Sequence, residues 1–271
     1  MQISRRELLI GAGGLLGAGV LAQSLGGKSI DYKGTVRSGV FTSAARRGAR
    51  TGWTINWPPG QLTGALRPLI VLHGRGADHS AAFTSLHLDR PLADVVDDGG
   101  KPFALASVDG GDHSYWHPRA DGDPATMIID EFLPLLARQG LDTSRVGFLG
   151  WSMGGYGSLY LASVLGSDRV AVAVAESPAI WHTAAQYADG AFDSTADFNA
   201  HQLWGRQPAL DKIPLRIDCG ASDGFAPVTR DLRASLHPTP AGGIEPGGHD
   251  ATYWRSQARA QLKFVSEHLP E

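Results

Sequence analysis

Gly150-Trp151-Ser152-Met153-Gly154-Gly155 follows directly on the apolar run 146–149 and leads into the small-residue stretch 156–162. This order dictates a strand, a sharp turn holding a serine, and a helix. The glycines flanking Ser152 carry no Cβ, so the backbone can turn tightly and approach its neighbours closely. The serine is left at the top of a sheet with its hydroxyl exposed, where a nucleophile must stand to attack an acyl carbon. G-x-S-x-G spacing alone also occurs in ordinary loops. The strand before it and the helix after it select the elbow.

The rest of the chain supplies the sheet that such an elbow needs. Residues 68–72, 103–108, 146–149, 170–175 and 215–219 are short, continuous apolar runs, as expected of strands buried on both faces. Between them, residues 124–139 place Met127, Ile128, Phe132, Leu133, Leu135 and Leu136 at near-helical spacing before Gly140. Residues 257–269 predict a closing amphipathic helix with Ala258, Ala260, Leu262, Val265 and Leu269 inward. Alternating strands and helices predict an α/β domain over residues 31–271, a mostly parallel sheet flanked by helices on both faces. Residues 34–57 predict an antiparallel hairpin at a sheet edge, with Arg46, Arg47 and Arg50 in a solvated turn. The polar stretch 180–210, with Trp181 and Trp204, is the candidate cap over a site.

Composition narrows the function. A formal net charge of -3 gives no global electrostatic reason for a nucleic-acid partner. Seven tryptophans are many for 271 residues; core packing or a wide apolar or sugar-binding cleft would use them. The single cysteine, Cys219, permits no intramolecular disulfide and no cysteine-based zinc site. It lies in an apolar run and reads as a buried strand thiol. At the N-terminus, Ser4-Arg5-Arg6-Glu7-Leu8-Leu9 opens an apolar run to Ala22. A basic region before a short hydrophobic one fits a signal segment over residues 1–30, and the arginine pair resembles the twin-arginine export motif. The expected location is therefore periplasm, cell envelope or outside the cell. Retention of this segment as an anchor to the membrane or envelope stays open.

A serine hydroxyl needs a base, and the base needs an orienting group. His249, in Gly247-Gly248-His249-Asp250 just before the last helix, is the expected base. Asp223, after the strand ending at Cys219-Gly220, is the expected acid; Asp250 adjoins the histidine and should point elsewhere. An oxyanion needs two backbone donors. Met153 supplies one, and the loop Leu72-His73-Gly74-Arg75-Gly76 the other, through Arg75 or, next to it, Gly76. His73 is expected to hold this loop by hydrogen bonds. Tyr115 and Trp116, in the loop beginning Asp109-Gly110-Gly111, and Trp151 in the elbow are candidate substrate-binding residues. None of this chemistry requires a metal or cofactor.

Leu72-His73-Gly74, Asp109-Gly110-Gly111 with Tyr115-Trp116, the elbow, Cys219-Gly220-x-x-Asp223, and Gly247-Gly248-His249-Asp250 followed by Tyr253-Trp254-Arg255 together resemble the esterase D and antigen 85 group of α/β-hydrolases. The resemblance runs from about residue 38 to the C-terminus. It implies an α/β-hydrolase fold, with Ser152 as nucleophile, His249 as base and Asp223 as acid. It implies a serine hydrolase acting on carboxylic esters or thioesters of small molecules or lipids. The antigen 85 branch transfers acyl chains to sugars, which gives the alternative of a transferase with a sugar or lipid acceptor. A binding module on an inactive hydrolase fold is the non-enzyme alternative. Antigen 85 proteins carry a glutamate in the acid role and a different run around the serine; the elbow here is closer to generic esterases.

Overall fold

The computed structural model describes residues 34–60 and 65–269; the signal segment expected over 1–30 lies outside them. Among the described residues, no helix is long and apolar enough to cross a membrane.

Eight strands form one sheet in the order β1-β2-β4-β3-β5-β6-β7-β8. β1 (Thr35–Ser43) and β2 (Ala49–Trp57) make the expected edge hairpin, and β2 runs antiparallel to β4 (Ala104–Val108). All other pairings are parallel, through β3 (Pro68–Leu72), β5 (Val146–Trp151), β6 (Val170–Glu176), β7 (Leu215–Gly220) and the short β8 (Ile244–Glu245). One face carries α1 (Ala81–Thr84) and α2 (Asp89–Asp97). The other carries α3 (Pro124–Thr126), α4 (Leu133–Arg138), α5 (Met153–Leu165), α6 (Thr195–His201), α7 (Gln207–Leu210) and α8 (Ala226–Ser235). The long α9 (Ala251–His268) returns to the first face.

This two-sided cover explains why the central strands are apolar throughout. Side chains alternate across a strand, so Ile70 and Leu72 join Phe132, Phe148 and Leu159, whereas Leu69 and Val71 meet Leu92, Val95, Leu262 and Val265. Each such side chain contributes roughly 1.5–3 kcal/mol relative to exposure.

Two expectations change. The single helix over 124–139 is broken by a π-helical segment, Met127–Phe132, between α3 and α4. Pro134 gives the reason. It has no N–H to bond back to Asp130 and its ring crowds that carbonyl; a widened turn keeps the helix running. The hairpin turn is also not wholly solvated. Arg46 folds inward, donating to Thr51 Oγ1 at 2.9 Å and to the Asp109 carbonyl at 2.8 Å. It thereby ties the hairpin to the loop after β4. The stretch 180–210 holds α6 and α7, with Phe192 and Phe198 buried and their rings 5.1 Å apart.

Candidate active site

β5 ends at Trp151 and α5 begins at Met153, so Ser152 alone makes the turn. Its φ of 55° and ψ of -118° lie outside the regions an L-residue ordinarily occupies. The surroundings hold it there: its N–H donates to the Glu176 carbonyl at 2.9 Å, and its carbonyl accepts from the Ala179 amide at 3.0 Å. A Cβ on Gly154 would run into the carbonyl of Leu72, and one on Gly150 into that of Gly154. Gly154→Ala is expected to destabilise the fold by about 3 kcal/mol, read by denaturant unfolding. A variant of wild-type stability would mean that β3 and the elbow are not clamped together.

The sheet edge brings the three expected polar residues into line. His249 Nε2 lies 2.9 Å from Ser152 Oγ, and His249 Nδ1 lies 2.7 Å from Asp223 Oδ2. Asp223 is buried, and its Oδ1 accepts the Phe225 amide at 2.8 Å. Burial is the largest influence on this carboxyl and would raise its pKa. Hydrogen bonds from His249, the Phe225 amide and Ser177 outweigh it and hold Asp223 below the usual carboxylate value. Asp250 points elsewhere, as expected: it caps α9, accepting from the amides of Thr252 at 2.8 Å and Tyr253 at 3.1 Å. The His249 ring is packed between Phe225, at 5.4 Å, and Trp254, at 5.1 Å. Trp254 in turn donates to Ser177 Oγ at 3.1 Å. Ser177 and Phe225 were not legible as site residues. The one signal for Ser177 is that it is the first hydroxyl residue past the strand beside the elbow.

The loop after β3 is fixed by His73, which is wholly buried. Its Nε2 accepts the Gly110 amide at 3.0 Å, so its Nδ1 carries the proton and donates to the Gly74 carbonyl at 2.8 Å. The Gly76 amide donates to the Asp112 carbonyl at 3.0 Å. It is thus committed, and of the two expected donors in this loop Arg75 is the one left for a ligand. Met153 is the first residue of α5, so its N–H has no partner within the helix. Met153 directly follows the serine in the chain.

The three aromatic candidates do not form open walls. Tyr115, Trp116 and Trp151 are 3%, 0% and 4% exposed. Trp116 is a core residue: its ring fills the space that Cβ atoms on Gly110 and Gly157 would occupy, and its indole N–H donates to the His73 carbonyl at 3.2 Å. Trp151 packs against Gly74 on the other side of the sheet. Tyr115 meets the Arg75 guanidinium, and its ring lies 5.8 Å from that of Trp181, tilted by 50°. These rings support the site from beneath. Six non-glycine residues among those described have positive φ, and Tyr115, Trp116, Ser152 and Ser177 are four of them. Backbone strain is concentrated where the reactive groups are, as it is in functional sites generally.

Below the elbow lies an acid that sequence reasoning passed over. Glu176 is buried, and its Oε1 has no hydrogen-bond partner; neither has Gln261 Oε1. Burial first, and the nearby Asp218 second, push the Glu176 carboxyl well above its ordinary value. A raised carboxyl makes the native state bind more protons than the unfolded chain. It therefore costs stability progressively as pH rises above the unfolded value. Glu176→Gln removes that cost and can donate to Gln261. The variant is expected to gain more thermal stability over wild type at pH 8 than at pH 4; an equal gain at both would mean Glu176 titrates normally. Cys219 is buried as expected, and burial pushes its thiol up to about 12.

No family model and no curated protein matches this sequence. Solved structures do. A ferulic acid esterase superposes with a TM-score of 0.75 at 18% identity, covering 86% of this chain and 98% of its own. An S-formylglutathione hydrolase from Agrobacterium tumefaciens gives 0.73 at 15% identity, covering 88% and 97%. FphF, a fluorophosphonate-binding serine hydrolase of Staphylococcus aureus, gives 0.70 at 22%, covering 86% and 98%. At these identities the likeness is one of architecture, and with the strand order above it establishes that this chain has an α/β-hydrolase fold.

Proposed function

We propose that this protein is a serine carboxylesterase working through an acyl-enzyme. The observation that carries this reading is the unbroken hydrogen-bond relay from Asp223 through His249 to Ser152 Oγ, ending at a strained elbow. His249 Nε2 takes the hydroxyl proton as Oγ bonds to the ester carbonyl carbon. The oxyanion is held by the Met153 and Arg75 amides. The C–O bond to the alcohol breaks, and the alcohol leaves with the proton from His249. Water, deprotonated by the same nitrogen, then releases the acid and frees Ser152. Asp223 holds the proton on Nδ1 throughout, so that Nε2 faces the serine as a base. The names of the similar structures, an esterase of ferulic acid and a hydrolase of S-formylglutathione, support ester or thioester substrates. We further propose that 180–210 is the cap segment, since Trp181 lies 5.6 Å from Phe225, beside His249. The leader supports export as the setting of this activity.

The test is initial rates on p-nitrophenyl esters from acetate to palmitate, with fluorophosphonate labelling in parallel. A Ser152-dependent optimum at short chains is the expected result. A labelled serine with little hydrolysis at any length would replace the esterase reading by acyl transfer, to be sought with trehalose or glycerol as acceptor. An unlabelled Ser152 would leave a binding module.

A further inference from the structure

We propose that His117, Asp197 and His201 form a site for a divalent transition-metal ion, zinc by preference, that ties α6 to the loop after β4. Asp197 and His201 are four residues apart on α6, which puts them on one face of the helix. His117 comes from the loop after β4, one residue past Trp116, and is wholly buried. One ligand atom from each of the three lies within 4.8 Å of the others. Asp197 Oδ1 is 2.7 Å from His201 Nδ1 and 3.8 Å from His117 Nδ1. These separations bracket the edge of about 3.3 Å between tetrahedral ligands bound at about 2.0–2.1 Å. The Asp193 amide donates to Asp197 Oδ2 at 2.8 Å, which leaves Oδ1 turned to the imidazoles.

The second observation is an imidazole whose surroundings do not match its protons. His117 Nδ1 is 2.9 Å from the Pro118 carbonyl, and Nε2 is 3.2 Å from the Ala191 carbonyl. A neutral imidazole carries one N–H. In either tautomer a buried lone pair therefore faces a carbonyl oxygen with nothing between them. A metal ion on Nδ1 removes the conflict. Nε2–H then donates to Ala191, the outward hydrogen bond that orients metal-bound histidines. His201 Nδ1 lies 3.0 Å from the Asp197 backbone carbonyl and 2.7 Å from Oδ1; to bind the ion it gives up its proton and both hydrogen bonds, taking the other neutral tautomer. The Pro118 carbonyl or a water is available as the fourth ligand. Arg119 is engaged by Asp193 at 2.7 Å and by the carbonyls of His113, Gly190 and Ala191, so it does not take Asp197 in place of the ion.

The experiment is calorimetric and thermal titration of chelator-treated protein with zinc chloride, together with X-ray absorption at the zinc edge. The expected result is one zinc per chain, with Tm rising by about 5–10 °C when zinc is about 100-fold above Kd. Asp197→Asn, which keeps shape and removes charge, should weaken binding at least tenfold. The absorption spectrum of the wild-type complex should show two imidazoles among nitrogen and oxygen ligands, whatever the fate of the variant. No stoichiometric binding, unchanged affinity in Asp197→Asn, or a spectrum with fewer than two imidazoles overturns the site. So would finding that His117 is instead doubly protonated and paired with Asp197 at saturating zinc.

Discussion

Ser152→Ala is expected to lower ester turnover by about 10⁴- to 10⁶-fold and to leave the fold unchanged. Oγ is the atom within reach of His249 Nε2, at 2.9 Å. Without it the histidine has no hydroxyl to deprotonate and no acyl-enzyme can form. The residual rate would come from the Met153 and Arg75 amides and from binding alone. Alanine keeps the Cβ, so the backbone at φ 55° bears the same strain as before. Global stability should stay within about 0.5 kcal/mol of wild type. Three readouts must move together: loss of the burst phase, loss of the fluorophosphonate adduct by mass, and loss of steady-state turnover. Undiminished turnover in Ser152→Ala would end the serine-esterase assignment, because among the described residues Ser152 Oγ is the hydroxyl hydrogen-bonded to His249.

The sheet was legible in the sequence because its central strands are buried on both faces and read as unbroken apolar runs. Residues 68–72 match β3 at both ends, and the run 170–175 stops one residue short of β6. The elbow was legible because steric demand fixes its glycines. Short amphipathic helices were not: α2 and α8 were passed over, since they span 9 and 10 residues and bury only three and four side chains. The π-helical segment was hidden because near-helical spacing does not report one extra residue in a turn; Pro134 was the available warning. The stretch 180–210 draws its order from rings packed at irregular spacing, such as Phe192 on Phe198, rather than from any period.

The site divides along the same line. Ser152, His249 and Asp223 are set by chain order and by the strand ends that carry them, and the structure brings all three within hydrogen-bonding distance. Tyr115 and Trp116 were expected as walls because their loop follows a strand end, and Trp151 was expected as a substrate-binding residue of the elbow. Sequence position identifies the loop but not the sense in which a side chain leaves it. Positive φ at Tyr115 and Trp116 turns both rings beneath the site. Ser177 and Phe225 act on the relay through contacts that no local pattern encodes.

Asp223→Asn is expected to lower turnover at neutral pH by about 10⁴-fold, with little change in shape. The carboxylate accepts the proton on His249 Nδ1 at 2.7 Å, which leaves the Nε2 lone pair facing Ser152. An amide at the same place can turn its NH₂ toward Nδ1. The imidazole then carries its proton on Nε2, aimed at the serine, and cannot act as a base. A second readout follows from the depressed pKa of Asp223. A carboxyl held below its unfolded value adds stability above that value and loses it as pH falls through the folded one. The stability gap between wild type and Asp223→Asn should therefore be open at neutral pH and close on acidification. Turnover within tenfold of wild type would remove Asp223 from the relay. Asp218 and Asp250 are poor substitutes, since the first is held by Arg216 at 2.8 Å and Gln261 at 3.0 Å and the second caps α9. A variant that is inactive at neutral pH yet shows the wild-type dependence of stability on pH would separate the two roles, leaving Asp223 to set the tautomer without contributing to the fold.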